Sequence, residues 1–253
     1  MTQRWTHYDR LAAHLAPAAA LLVERGGVDP GTVIDIGTGS GNGLRAAAAA
    51  DLAIDAIGLD LSPDQLEAAG AVGAPLVRGD AAALPFRSGG VDGAMSNFGI
   101  IFAPDHGRTL TEVARILRPG GRFAFTAWEP DGWPEPARQA LAGRLGRRLP
   151  PFPTALGHPE RAHAVLEEAG LRPVETEHLS LRWHFDDLDD AVDGLTEAAG
   201  GLRVLRRAIE NQHGWDSARA DLRAVIEPHG EAGADGLAIV DRYVLFVAEA
   251  TTP

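Results

Sequence analysis

The sequence contains neither cysteine nor lysine. None of its 253 residues is Cys, and all 23 basic residues are Arg. The absence of cysteine excludes disulfide bonds, thiolate metal ligands and a cysteine nucleophile, and the absence of lysine excludes Schiff-base chemistry. No two histidines have the spacing of an H-E-x-x-H motif, so we expect no metal site.

Long apolar runs and an excess of basic charge are also missing. No apolar run reaches the roughly 18 residues needed to cross a bilayer, and the N-terminal residues lack the apolar core of a signal peptide. We therefore expect a soluble, cytoplasmic protein with no membrane partner. The formal charge of −12 would repel a phosphate backbone, which argues against nucleic acid as a substrate. The Ala- and Gly-rich composition, with Arg as the only strong base, is typical of a GC-rich bacterial genome.

Strand-like and helix-like segments alternate through the first half of the chain. Short apolar runs recur at residues 33–36, 56–59, 75–77, 91–95 and 122–126. Ala-rich or Leu-periodic segments separate these runs. The runs are continuously apolar, without the alternating polar residues of a strand that has one face exposed to solvent. The alternation therefore predicts an α/β fold with a parallel sheet and helices on both of its faces.

We expect one domain over the whole chain. Within it we expect a helical N-terminal cap at 1–30, a cofactor-binding half at 31–128 and a closing strand at 237–249. The proline-rich stretch 129–158 and the helical stretch 187–232 interrupt the alternation. Because insertions of this size usually serve a site, we expect both to form a lid over the substrate.

The first strand-like run ends in a glycine loop, in which Gly37, Gly39 and Gly41 follow Asp35. Glycines let a ligand approach the main chain closely. A dinucleotide fingerprint needs G-x-G-x-x-G, and neither register of this loop supplies the third glycine. An acid two residues before the first glycine instead suits a ligand that carries an ammonium group and no phosphate. An ordinary tight turn is the alternative that the loop alone leaves open.

Two further acids end the next two strand-like runs. Asp60 ends the second run, where a carboxylate can accept hydrogen bonds from both ribose hydroxyls. Asp80 ends the third run, where it suits the exocyclic amine of adenine. The alternatives are a helix N-cap for Asp60 and a turn former for Asp80. Ser62 before Pro63 already fits an N-cap and a first helical position, which weakens the first alternative.

Four segments together resemble the class I S-adenosylmethionine-dependent methyltransferases that act on small molecules in quinone and natural-product biosynthesis. The segments are VIDIGTGSG (33–41), GLDLSP (58–63), GDAAALPF (79–86) and EVARILRPGGR (112–122). The resemblance implies a Rossmann-like sheet of seven strands with the last strand antiparallel. It also implies transfer of a methyl group from S-adenosylmethionine to an O, N or C atom of a small acceptor, with S-adenosylhomocysteine as product.

The resemblance further implies which residues would contact the cofactor. The methionine part would lie against the loop residues Asp35, Gly37, Thr38, Gly39 and Gly41. The ribose would contact Asp60 and Leu61, and the adenine would contact Asp80 and Ala81. Three residues at the end of the fourth strand would lie beside the sulfonium: Ser96, Asn97 and Phe98. The remaining cofactor contact would be Tyr8, on the N-terminal helix.

The sequence does not select one catalytic base. Some relatives carry a histidine soon after the fourth strand, but Phe102 stands near that place here. The two candidates for a catalytic residue are His106 and His7, and His106 equally fits the solvated first turn of a helix. His158 and His184, at the borders of the insertions, also remain open.

Two other functions fit part of the pattern. An enzyme that binds S-adenosylmethionine can use its sulfonium as a fixed charge, as a cyclase or decarboxylase would. A nicotinamide-dependent oxidoreductase shares the glycine loop, although the glycine spacing argues against it. The few aromatic residues fall mainly at strand ends or in insertions, and as a group they favour a moderately apolar, aromatic acceptor. Ordinary core or lid packing is the alternative for any single one of them. We expect a small-molecule acceptor as the partner and a monomer or homodimer.

Overall fold

The computed structural model describes residues 6–26, 31–50, 54–212, 214–233 and 236–251. For residues 6–10 and 200 it describes the backbone alone. In this part of the chain no helix is both long enough and apolar enough to cross a membrane.

Within the described residues, eight strands form one sheet. The strands are β1 (Gly31–Ile36), β2 (Ile54–Asp60), β3 (Leu76–Arg78), β4 (Val91–Asn97), β5 (Leu117–Trp128), β6 (Leu171–Phe185), β7 (Gly230–Gly233) and β8 (Gly236–Ala250). Their order across the sheet is β3-β2-β1-β4-β5-β8-β6, and β7 pairs with β8 outside this path.

The first five strands are parallel, as the alternation predicts. β1 pairs in parallel with β2 and β4, β2 with β3, and β4 with β5. The closing strand β8 pairs antiparallel with β5, which confirms the Rossmann-like sheet that the resemblance implies. Because parallel strands all end at one edge, the loops after β1 to β4 are brought to the same edge of the sheet.

The short strand β7 adds to the seven strands that were expected. It pairs antiparallel with the start of β8 and lies at the end of a stretch that we expected to be helical. Its sequence, Gly-Glu-Ala-Gly, is largely exposed and has no alternation of apolar and polar residues. The pairing with β8, rather than any intrinsic strand propensity, accounts for this element.

The described residues also form helices, which precede the first strand or connect successive strands along the chain. They are α1 (Thr6–Arg25), α2 (Asn42–Ala49), α3 (Pro63–Ala69), α4 (His106–Ile116), α5 (Pro134–Arg144), α6 (Pro159–Glu168), α7 (Leu188–Ala198), α8 (Gly200–Glu210) and α9 (Trp215–Ile226). Helices α5 and α7 to α9 lie in the two stretches that we expected to be insertions. Whether these stretches cover a substrate stays a prediction.

The contacts divide the chain into two compact units. The sheet unit comprises Leu15–Pro130, Pro153–Leu179 and Tyr243–Pro253, and the helical unit comprises Met1–His14, Asp131–Phe152 and Ser180–Arg242. The core of the sheet unit includes stacked rings, with centroids 5.2 Å apart for Phe123 and Phe125 and 4.8 Å apart for Phe125 and Phe246. The core of the helical unit joins α5, α7, α8 and α9 through small and branched apolar side chains. The expectation of one domain stays a prediction.

Candidate functional site

The glycine loop connects β1 to α2 and is shaped by three left-handed residues. Gly37, Gly39 and Gly41 have φ values of 67°, 55° and 91°, a region in which a side chain would strain the backbone. The backbone N–H groups of Gly37 and Thr38 both donate to the carbonyl oxygen of Leu59, at 2.8 and 3.0 Å. Main-chain hydrogen bonds thus hold the loop against the end of β2.

Asp35 is a buried carboxylate two residues before the loop. Its side chain is almost completely buried, and Oδ2 accepts a hydrogen bond of 2.6 Å from the Thr38 hydroxyl. Its buried Oδ1 has no hydrogen-bond partner in the described part of the chain. Burial raises the pKa of Asp35 to about 6, although the hydrogen bond from Thr38 opposes this shift. Because an unpaired buried acceptor is costly, Asp35 is suited to receive a donor from a ligand.

Asp60, at the end of β2, ties the glycine loop to the next turn. Its Oδ2 accepts from the Gly39 backbone N–H and its Oδ1 accepts from the Ser62 backbone N–H, both at 2.9 Å. Ser62 holds the N-cap position of α3, as expected, but its side chain makes no cap hydrogen bond. Each Asp60 oxygen keeps a lone pair for a further donor, since a carboxylate accepts about four hydrogen bonds.

Asp80 forms a turn after β3. It is exposed, and its Oδ1 accepts from the Ala82 backbone N–H at 2.9 Å. This is the turn-forming role that we left open, and it leaves Oδ2 for another donor. Ala81 beside it is half-buried, and the Leu61 side chain is 63% exposed at the neighbouring strand end. An exposed leucine among these polar turns provides an apolar surface at this edge.

The end of β4 is held by hydrogen bonds of Ser96. Its hydroxyl donates to the Ile36 carbonyl at 2.6 Å and accepts from the Ile100 backbone N–H at 2.9 Å. Ser96 is completely buried. Its side chain therefore fixes the turn after β4 against the end of β1.

Asn97 and Phe98 are held by a residue that the sequence did not single out, Thr126 of β5. The Thr126 hydroxyl donates to Oδ1 of Asn97 at 3.1 Å and accepts from the Phe98 backbone N–H at 2.9 Å. Asn97 also donates from Nδ2 to the Leu15 carbonyl at 3.3 Å. The register of β4 against β5, which pairs Asn97 with Thr126, creates this contact, and the sequence alone does not reveal that register.

The sheet unit thus brings most of the expected cofactor residues to one edge. The Gly39–Asp60 hydrogen bond joins the first two strand ends, the Gly79 N–H bonds the Asp60 carbonyl at 3.1 Å, and Ser96 joins β4 to β1. Two residues are not placed there: the expected cofactor contact Tyr8 and the catalytic candidate His7. Both lie in α1, but their side chains are outside the part of the chain that the structure describes. Their expected roles stay predictions.

His106 begins α4, after the N-cap residue Asp105, which accepts from the Arg108 N–H at 2.9 Å. It is half-buried rather than fully solvated, and its Nε2 lies 3.2 Å from the Ile101 carbonyl oxygen. A carbonyl only accepts, so Nε2 carries the hydrogen and the unprotonated nitrogen of the neutral ring is Nδ1. The other two histidines that the sequence left open, at 158 and 184, are exposed.

A buried histidine that the sequence did not indicate lies in the helical unit. The His14 side chain is 6% exposed and stacks on the Trp183 ring with centroids 3.6 Å apart. Nε1 of Trp183 donates to Oδ2 of Asp241 at 2.7 Å, and His14 Nε2 lies 3.5 Å from the same oxygen. No local pattern in the sequence distinguishes His14 from the other eight histidines.

Arg115 of α4 clamps the loop between β3 and β4. Its guanidinium binds both Glu112 oxygens at 2.7 and 2.8 Å and the carbonyls of Phe86 and Leu84 at 2.8 and 2.9 Å. Glu112 in turn accepts from the Leu84 N–H at 2.8 Å. The hydrogen bonds from Arg115 hold the pKa of Glu112 below its usual value. The clamp therefore fixes the loop that begins with Asp80.

Replacing Arg115 with lysine is expected to lower the free energy of unfolding by about 1–2 kcal/mol, because an ammonium cannot reproduce the planar fork. Urea unfolding measures this change. Arg172→Lys is the matched control, since Arg172 is 58% exposed and makes one surface pair with Glu249. The control should change stability by less than about 0.5 kcal/mol. Equal free energies of unfolding for Arg115→Lys and Arg172→Lys would show that the Arg115 hydrogen bonds do not stabilise the loop.

The comparisons with known proteins point to one family. Residues 34–125 match the family model described as a methyltransferase domain. An uncharacterized protein of Mycobacterium tuberculosis is 34% identical over 199 residues, which are 76% of this chain and 65% of that protein. A demethylmenaquinone methyltransferase of Mycolicibacterium vanbaalenii is 30% identical over 169 residues, which are 65% of this chain and 66% of that protein.

The chain spans only part of the curated relatives that it matches, between 45% and 65% of the length of the first of them. Among solved structures, a geranyl diphosphate methyltransferase in complex with S-adenosylmethionine has a TM-score of 0.55 and 17% identity, over 93% of this chain and 85% of that one. This likeness concerns the fold. The residues that the methyltransferase model matches are those that build the glycine loop and the neighbouring strand ends, so this part of the chain is similar to a methyltransferase domain.

Proposed function

We propose that the chain transfers a methyl group from S-adenosylmethionine to an O, N or C atom of a small-molecule acceptor. The observation that carries the proposal is the unpaired, buried Oδ1 of Asp35 beside the glycine loop. A buried carboxylate that lacks a donor is matched by the ammonium group of an amino-acid ligand, which supplies both a donor and the opposite charge.

The other residues of the edge fit the rest of such a ligand. The left-handed glycines leave the loop backbone open to close approach. Asp60 keeps free lone pairs for the paired hydroxyls of a ribose, and Asp80 keeps an oxygen for an amine. Leu61 offers an exposed apolar surface between them. A nucleoside that carries an amino acid and no phosphate suits this set better than a dinucleotide does.

Methyl transfer depends on alignment and the exclusion of water more than on a general base. When bound, S-adenosylmethionine supplies a methyl group on positively charged sulfur. The acceptor atom takes this group and releases its proton, and S-adenosylhomocysteine is the co-product. If His106 receives that proton, it does so at Nδ1, because Nε2 is engaged with the Ile101 carbonyl.

Incubation with S-adenosylmethionine labelled in its methyl group and a panel of phenols, amines and carbon acids tests the proposal. Label should move to at least one acceptor, with an equal amount of S-adenosylhomocysteine formed. Tight binding of S-adenosylhomocysteine without transfer to any acceptor would contradict methyl transfer. Turnover of an acceptor with S-adenosylhomocysteine in place of the donor would instead favour the cyclase or decarboxylase alternative.

The affinity for S-adenosylhomocysteine should fall as the pH drops below about 6. The pKa of Asp35 is about 6 in the folded protein, against a reference value of 3.8. The free energy of unfolding that Asp35 contributes is therefore largest at acid pH and declines as the pH rises from about 4 to 6. An ammonium ligand instead favours the ionised carboxylate, because it binds the charged form. The dissociation constant should therefore rise about tenfold for each pH unit below 6, which calorimetry between pH 5 and 7 measures.

Two variants separate Asp35 from other titrating groups. Asp35→Asn should bind more weakly at neutral pH and show little change between pH 5 and 7. Asp55→Asn, at the exposed opposite end of β2, should keep the pH dependence of the unaltered protein. A pH-independent affinity of the unaltered protein would show that the Asp35 carboxylate does not bind the ammonium.

A further inference from the structure

Phe98 has a strained backbone at the end of β4. Among the described residues it is the only one other than glycine with a positive φ, at 56°. The left-handed conformation is unfavourable for a residue with a Cβ and persists only where its surroundings enforce it. Here the enforcement comes from the Thr126 hydroxyl, which accepts from the Phe98 N–H and is itself bonded to Asn97.

The strained turn brings the Phe98 ring onto the indole of Trp128. The two rings are parallel within 11°, with centroids 3.8 Å apart. Tyr243 meets the Phe98 ring edge-on at 5.5 Å and the Trp128 ring edge-on at 6.4 Å. Burial, with the nearby charge of Glu177, raises the pKa of Tyr243 to about 12, so its phenol stays neutral.

The three rings differ in exposure. Phe98 is 4% exposed and Tyr243 is 1% exposed, whereas Trp128 is only half-buried. Two buried rings therefore support a third ring, which belongs to a partly exposed residue. If the strained backbone of Phe98 served only to pack the core, the large apolar side chain of Trp128 would not need to be partly exposed.

The backbone of Trp128 is fixed as firmly as its ring. Trp128 ends β5, two residues after the Thr126 that pairs with Asn97, so it lies at the same sheet edge as the glycine loop. A Cβ added to Gly157 would lie 1.8 Å from the Trp128 carbonyl oxygen. Only glycine permits this approach, and the turn at Ala155–Gly157 therefore packs directly against the end of β5.

We propose that the exposed part of the Trp128 indole is the surface on which the methyl acceptor stacks, and that the acceptor is a flat, uncharged aromatic or conjugated ring system. The inference rests on the proposed methyl transfer and narrows its substrate class. A rigid ring backed by two others offers parallel stacking, which flat molecules satisfy and puckered ones do not. A cationic acceptor would be repelled by the sulfonium of the donor, which leaves a neutral ring as the better occupant.

Binding of matched probes tests the ring preference in the full chain. We would measure dissociation constants for naphthol and for its fully saturated counterpart, decahydronaphthol, with S-adenosylhomocysteine at saturation. Naphthol should bind about 3- to 10-fold more tightly than decahydronaphthol, the range that aromatic stacking contributes beyond area burial. Trp128→Leu should abolish this preference, and Trp128→Phe should keep most of it.

Trp215→Leu is the matched control, because Trp215 is another half-buried tryptophan, packed under Arg206 in the helical unit. It should leave the naphthol preference unchanged. If Trp128→Leu fails to bind S-adenosylhomocysteine, Trp128→Phe decides: retained preference supports the proposal, and lost preference with intact cofactor binding overturns it.

Two results would overturn the proposal directly. These are equal affinity of the unaltered protein for the two probes and a preference that survives Trp128→Leu. Failure of the unaltered protein to bind S-adenosylhomocysteine would instead contradict the proposed function itself, so the two failures are distinguishable.

Discussion

Replacing Asp60 with alanine is expected to raise the dissociation constant for S-adenosylhomocysteine by about 100-fold. Two hydrogen bonds from ribose hydroxyls to a carboxylate contribute about 3 kcal/mol together, which corresponds to that factor. The structure adds a second reason for the effect. The Asp60 oxygens also hold the N–H groups of Gly39 and Ser62, so alanine would release the glycine loop from the next turn.

The two contributions of Asp60 can be separated by a smaller change. Asp60→Asn keeps one acceptor oxygen and nearly the same shape, so it should weaken binding by about tenfold, the effect of one lost charged hydrogen bond. Asp55→Asn makes the same chemical change at the other end of β2 and should leave the affinity unchanged. Calorimetry measures all three constants, and thermal unfolding reports the loss of the loop contacts. An unchanged constant in Asp60→Ala would exclude Asp60 from the cofactor site.

The patterns that predicted the fold are local ones. Continuous apolar runs placed β1 to β4 within two residues of their observed bounds, because burial on both faces leaves a strong trace in composition. The run at 122–126 marks β5, but that strand begins five residues earlier, at Leu117. The antiparallel closing strand was implied by the resemblance and not by those patterns, and the order of the strands was not predicted. The strand β7 shows no continuous apolar run, since its exposed Gly-Glu-Ala-Gly sequence depends on β8 for its pairing.

The sequence predicted the site residues that follow the ends of strands. It did not predict the side-chain contacts that depend on how the strands pair. Asp35, Asp60 and Asp80 each end or follow a strand-like run, so their common edge could be inferred from the parallel sheet. The sequence did not show that Thr126 binds Asn97 and Phe98, because this contact depends on the register of β4 against β5. The burial of His14 beside Asp241 was hidden for a similar reason, since those residues are 227 positions apart in the sequence.

Replacing Gly99 with alanine is expected to destabilise the protein by about 2–3 kcal/mol and to weaken cofactor binding. Gly99 has an ordinary φ of −85°, so the backbone conformation itself tolerates a side chain. The obstacle is space. A Cβ there would lie 2.6 Å from the Ile36 carbonyl oxygen and 2.8 Å from the Gly37 carbonyl oxygen, both of which are backbone atoms that cannot rotate away. Overpacking of this kind typically costs about 1–3 kcal/mol.

Gly143→Ala provides the contrast that isolates this close approach. Gly143 lies in α5 with no heavy atom within 4 Å of an added Cβ, so alanine there should stabilise the helix by about 0.5 kcal/mol. Urea unfolding should show a lower midpoint for Gly99→Ala with an unchanged slope, and a slightly higher midpoint for Gly143→Ala. The loss in Gly99→Ala should extend to S-adenosylhomocysteine binding, because the carbonyls that must move belong to the glycine loop and the strand that leads into it. A Gly99→Ala protein as stable as Gly143→Ala, with unchanged affinity, would mean that the ends of β1 and β4 do not form one rigid floor for the cofactor.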